Sequence, residues 1–257
     1  MNRILLLISI VFLVSCSNSK KEVKSADEKE SNATEQTLVD SVPVVDEGIA
    51  VLHPGGNELE LGVEEGGGHL NEEIGKLFRQ ATSAYDQGDY QSGIQLFEQI
   101  IEKAPEDGRA YYNLGIGYFK LDKFPESIKA FNGAIDINPR DSLSIQYRGK
   151  VYYMMGDFKS CLRDYKRVVE LKPEDPLAYF NRGTVKGMIN DYAGAIEDFN
   201  RAIELNPEYD AAYYNRGIAN FHIGKLHDAC YDWRKAHILG HYEADKAIKA
   251  YCEGEKK

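Results

Sequence analysis

The chain has little of what catalytic and metal sites are usually built from. Its 257 residues hold four cysteines and six histidines, with no Cys-x-x-Cys pair, so the common zinc and dithiol frameworks are excluded. No glycine loop of phosphate-cradling spacing occurs, and no nucleophile elbow. His237 and His241 lie four apart, but Gly240 falls between them and ends a helix that would pair them on a metal. The longest apolar run, from Ile4 to Val14, is shorter than the roughly 20 residues a membrane-spanning helix needs. Nor is there a basic excess. Four Lys face fourteen acidic residues between Ser17 and Glu73, a net of −10, whereas 26 basic and 27 acidic residues from Ile74 onward leave −1. A near-neutral body argues against nucleic acid as a partner. These absences point to a non-enzyme without cofactor, metal or small-molecule substrate.

Proline is also scarce, at eight residues, yet Pro105, Pro139, Pro173 and Pro207 fall 34 residues apart. A fixed period of this length means one structural unit copied along the chain. Three residues after each proline a unit begins, giving 74–107, 108–141, 142–175, 176–209 and 210–241. The eighth position is Gly115, Gly149, Gly183 and Gly217, and the twenty-fourth is Phe97, Phe131, Tyr165, Phe199 and Trp233. Within each unit two helical-period runs are separated by a turn pair: Gly88-Asp89, Asp122-Lys123, Gly156-Asp157, Asn190-Asp191 or Gly224-Lys225. Gly, Asp and Asn suit a turn where φ is positive. The proline ends the second run, because it donates no amide and disfavours helix in the residue before it. Each unit is therefore predicted to be a helical hairpin. Small residues at the eighth, twentieth and twenty-seventh positions would let the helices approach.

These residues resemble the tetratricopeptide repeat family over five units, most fully from Tyr179 through Pro207. Unit 1 departs from the pattern, with Ala81 for the first glycine and Gly93 at the twentieth position. The resemblance implies an all-α fold: a right-handed superhelical solenoid of five hairpins spanning 72–241. Residues 242–257 supply a C-terminal capping helix and tail, with Ala244, Ala247, Ile248 and Tyr251 on one face and charges opposite.

The amino terminus carries a second resemblance. Arg3, the apolar run and then Leu13-Val14-Ser15-Cys16 resemble a bacterial lipoprotein signal peptide ending in a lipobox. This implies removal of residues 1–15 and acylation of Cys16; an ordinary signal peptide or a retained short anchor are the alternatives. Two or three acyl chains hold a protein to a membrane stably, where one does so marginally. No Asp follows Cys16, which favours the outer membrane, facing the periplasm. Residues 16–71, acidic and without a persistent period, are predicted to be a disordered tether with a span of roughly 40 Å.

Comparing the units with one another singles out further residues. Arg148, Arg182 and Arg216 occupy the seventh position of units 3 to 5, and Asp164, Asp198 and Asp232 the twenty-third; units 1 and 2 lack both partners. Arg–Asp ion pairs are expected, linking the two helices of a unit or adjacent units. The first helices of the family line a concave groove, so Asn113, Asn181 and Asn215, with Tyr112, Phe180 and Tyr214 beside them, are candidate peptide contacts. An Asn amide can pair with both groups of a peptide backbone. The alternative is that these asparagines satisfy only local groups, and Tyr147 interrupts their series. Cys230 and Cys252 flank the turn near Gly240 and would come opposite one another, as a disulfide in an oxidising compartment or as two thiols. Cys161 reads as a buried apolar residue. Together these features describe a membrane-anchored scaffold or adaptor that binds peptide segments or helices of other envelope proteins. The alternatives are a self-associating structural component, hence a homo-oligomer, and a non-catalytic cell-wall or glycan binder.

Overall fold

A computed structural model describes residues 68–252, with side chains from residue 71. The expected signal peptide, the lipidated Cys16, nearly all of the tether and the last five residues lie outside the described residues. Eleven helices occur among those described: α1 (Gly68–Asp86), α2 (Tyr90–Lys103), α3 (Gly108–Lys120), α4 (Phe124–Ile137), α5 (Ser142–Met154), α6 (Phe158–Leu171), α7 (Pro176–Met188), α8 (Tyr192–Leu205), α9 (Asp210–His222), α10 (Leu226–Ile238) and α11 (Ala244–Tyr251). Each helix packs on the next along the chain, and the first helices of neighbouring units also touch, α3 with α5 and α7 with α9. This is an all-α solenoid of hairpins closed by a short final helix.

The turns explain the regularity. Gly88, Asp122, Gly156, Asn190 and Gly224 all adopt positive φ, between 55° and 78°, the conformation those residue types tolerate best. Asp89, Asp157 and Asp191 then cap α2, α6 and α8 by accepting from a backbone N–H in the first turn. Asp107, Asp141 and Asp175 do the same for α3, α5 and α7. Such caps stabilise a helix by about 1 kcal/mol each. Lys123 before α4 forms no side-chain cap, and unit 5 lacks both, with Tyr209 and Lys225 at its two cap positions.

The eighth-position glycines are required by ring contact. A Cβ on Gly183 would lie 2.9 Å from the Phe199 ring, one on Gly115 2.7 Å from Phe131, and one on Gly217 2.6 Å from Trp233. Unit 1 uses another solution. Tyr85 swings over Gly93, where a Cβ would meet its ring at 2.2 Å, and its hydroxyl donates to the Asn113 carbonyl of unit 2 at 3.0 Å. Of the departures of unit 1, Gly93 is thereby explained as room for the Tyr85 ring. One boundary is corrected: α1 starts at Gly68, inside the stretch read as tether to residue 71. Ile74 and Leu77 pack on the core and anchor a helix that extends back over that stretch.

Candidate functional site

The Arg and Asp side chains singled out by comparing units meet in all three cases. Arg148 donates through Nε and Nη2 to the two oxygens of Asp164 at 2.8 and 2.7 Å. Arg182 makes the same fork on Asp198 at 2.9 and 2.6 Å, and Arg216 on Asp232 at 3.0 and 2.6 Å. Each pair joins the two helices of one unit. The remaining guanidinium nitrogen sometimes reaches further: Arg148 Nη1 donates to Asn132 Oδ1 at 2.6 Å and Arg216 Nη1 to Asn200 Oδ1 at 2.7 Å, both in the preceding unit. Thus the pair braces the hairpin, and the third bond braces the junction.

The carboxylates are buried and the arginines half-buried. At Asp232 burial outweighs Arg216 and Asn220 and holds the carboxyl above its ordinary range. Such a pair fixes geometry more than it adds stability. In unit 4 Lys186 also reaches Asp198, at 2.9 Å.

The six residues expected to line an open groove are all buried, at 0–3% exposure. For the aromatics this is a correction. Tyr112 packs on Phe131 and Tyr147, and Phe180 on Phe199. Tyr214 accepts the Trp233 indole N–H at its carbonyl and stacks on His241 at 4.2 Å. They belong to the core because the helix period sets a residue's direction but not how closely the neighbouring unit covers it. Asn113, Asn181 and Asn215 lie in the same layer. Among the described residues Asn181 Oδ1, Thr184 Oγ1 and both amide atoms of Asn215 have no hydrogen-bond partner. Buried polar atoms are nearly always paired; these open valences fall in units 4 and 5, and Tyr165 Oη, His241 Nδ1 and Glu243 Oε2 share the condition. Tyr147, which breaks the asparagine series, stacks on Phe131 at 6.2 Å and fills the unit 2–3 junction instead.

The C-terminal end is closed covalently. Cys230 in α10 and Cys252 after α11 form a disulfide, and Tyr251 packs on Phe221 and Trp233. His241 is buried between Tyr214 and Tyr242, whereas His237 is exposed. The remaining cysteine, Cys161, is buried and its thiol is pushed up by desolvation. No helix among the described residues is long and apolar enough to cross a membrane.

Comparison with known proteins agrees with this geometry. The tetratricopeptide repeat model matches residues 78–142, and a second model for the TPR repeat matches 149–188 and 189–236, together well over half of the chain. No curated protein sequence matches it significantly. Among solved structures, MamA from Desulfovibrio magneticus RS-1 is 18% identical, with TM-score 0.62, covering 65% of this chain and 95% of its own. YrrB, described as a TPR protein with an unusual peptide-binding site, is 21% identical, with TM-score 0.61, covering 70% of this chain and 94% of its own. A thermophilic TPR protein of Thermus thermophilus is 18% identical, with TM-score 0.51, covering 68% of this chain and 96% of its own.

Proposed function

The chain belongs to the tetratricopeptide repeat family, and from that premise we propose that it is a lipid-anchored adaptor that holds an extended segment of another cell-envelope protein. The observation that carries this reading is the set of unpaired polar atoms at Asn181, Thr184 and Asn215, which the packing shuts off from solvent, so that a peptide reaches them only where units 4 and 5 part. Leaving a buried donor or acceptor unmade costs about 1–3 kcal/mol, and a peptide backbone offers donors and acceptors of the kind these groups lack. That solved relatives of the fold include one described by its peptide-binding site supports the same reading. Anchoring rests on the resemblance of Leu13–Cys16 to a lipobox, and the acidic segment before the repeats would serve as the tether. With this reading the chain needs no catalytic group.

The test uses the full-length protein. Captured from solubilised envelopes, it is expected to retain a specific partner, and an Asn181→Ala, Asn215→Ala double variant with unchanged thermal melting is expected to lose it. Unchanged capture by that variant would sink the asparagine contacts. A Cys16→Ser variant is expected to leave the membrane fraction; if it remains there, the anchor assignment fails. A second reading, self-association, is favoured by Ile238 and Tyr242, 76% and 75% exposed at the C-terminal end. Its signature is a mass that rises with concentration in analytical ultracentrifugation.

A further inference from the structure

Between α6 and the turn after α7 runs a groove of about 620 Å³, away from the asparagine layer. Phe158, Leu162 and Ile189 form its floor, and Ile189 is 44% exposed there. Lys159, Arg163 and Lys166 form its wall, and none of the three makes an ion pair among the described residues. Arg167 lines it as well, paired at 2.8 Å with Glu170. Four cations and one carboxylate thus line the groove, with the N-cap Asp157 close to Lys159 and Arg163, in a repeat region whose overall charge is close to zero.

This concentration is not explained by the stability of the helix. Lys159 and Arg163, and again Arg163 and Arg167, are like charges at i,i+4, which destabilise a helix. Lys159 also sits in the first turn, where the helix dipole disfavours a cation and the N-cap Asp157 offsets part of that cost. Lys166 stands at a position that varies along the repeats, with Glu98 in unit 1 and Arg234 in unit 5. Its counterparts in units 2 and 4 are Asn132 and Asn200, whose amide oxygens brace the arginine of the next unit. With a lysine there, Arg182 has no such bond from unit 3. A cation facing the groove stands here where two other junctions have a brace.

We propose that this groove is a second docking site, for an acidic protein segment that carries apolar side chains. The chemistry follows from the two parts of the site: the floor takes aliphatic or aromatic side chains, and the wall takes flanking Asp and Glu. The stretch from Phe158 to Glu170 is about 18 Å long at 1.5 Å per residue, the length of three helical turns or of five to six extended residues. An anionic membrane presents a flat headgroup layer, which leaves a recessed floor uncovered, whereas a side chain fills it. The site is independent of the asparagine contacts and provides the adaptor with a second face.

Fluorescence anisotropy on the full-length protein tests this. The probes are a short labelled peptide with Leu along one helical face and Glu along the other, and its Lys-for-Glu counterpart. The Glu peptide is expected to bind at about 0.1 M salt and to weaken as the Debye length shrinks, while the Lys peptide does not bind. Arg163→Glu and Lys166→Asn are each expected to weaken binding about tenfold. Ile189→Ser should weaken it too, with melting unchanged. Equal affinity for both peptides would overturn the proposal, as would indifference to Arg163→Glu and Ile189→Ser in folded protein. Arg163-dependent sedimentation with phosphatidylglycerol vesicles, without peptide binding, would assign the wall to a membrane instead. Loss of binding in the double-asparagine variant would move the site to the first helices and likewise overturn it.

Discussion

Asp198 accepts from Arg182 and is within 2.9 Å of Lys186, so its removal leaves two cations facing a carboxylate that is gone. A fully buried pair broken this way loses about 3–5 kcal/mol. Both cations retain some contact with solvent, which places Asp198→Ala at the lower end, about 3 kcal/mol. Asp136→Ala, at an exposed site, should stay within ~0.5 kcal/mol. Urea unfolding of the two variants measures the difference; equal losses would mean that the pair carries no structural weight. These pairs were legible in the sequence because Arg and Asp appear together in three units and vanish together from two. The depth of Asn181 and Asn215 was not legible. Their spacing gives the side they face, but whether water reaches them depends on how tightly the next unit is seated.

At the scale of elements, the final helix depends on a histidine packed between rings. Burial holds the His241 imidazole below its ordinary value of 6.5, against the opposing pull of Asp210 and Glu243. The unfolded chain takes up a proton near that value while the folded chain resists it. Stability is therefore complete above it and is lost as the pH falls through 6.5 towards the depressed folded value. Thermal melts between pH 7.5 and 5 should show a larger drop for the native chain than for His241→Asn; parallel curves would exclude His241 as the cause. The helix itself was legible from Ala244, Ala247, Ile248 and Tyr251, and the start of α1 was not. Residues before Ile74 carry no periodic apolar face, and their helix follows from what Ile74 and Leu77 pack against.

Across the whole molecule the core is a succession of local clusters, one in units 1 and 2 reaching Tyr147 and Val151, a second running from Ile135 to Val185, a third built on units 4 and 5. Stability in such a stack is close to a sum of unit and nearest-neighbour contributions. Opening Cys230–Cys252 should remove about 2–4 kcal/mol, felt at the C-terminal end. Hydrogen exchange with and without reductant is expected to show protection falling in α10 and α11 and holding in α3 to α6. A uniform fall would contradict nearest-neighbour behaviour. The 34-residue period made this architecture legible before any contact was known. The basic groove was hidden by averaging, because the cations of α6 cancel against acids elsewhere in the repeats and become visible only when helices are compared singly.

The amide that crosses from one unit to the next has a mechanical meaning. Asn132 and Asn200 bolt the second unit to the third and the fourth to the fifth, while the joint between the third and fourth has Lys166 in that place. A stack of stiff segments bends where its bolts are fewest. The joint that the groove of α6 spans lacks this amide and is held by Arg201 to Glu174 at 3.5 Å and by Ala178 and Val185 packed on the core of the third unit; an occupant wedged between α6 and Ile189 would act there as a splint.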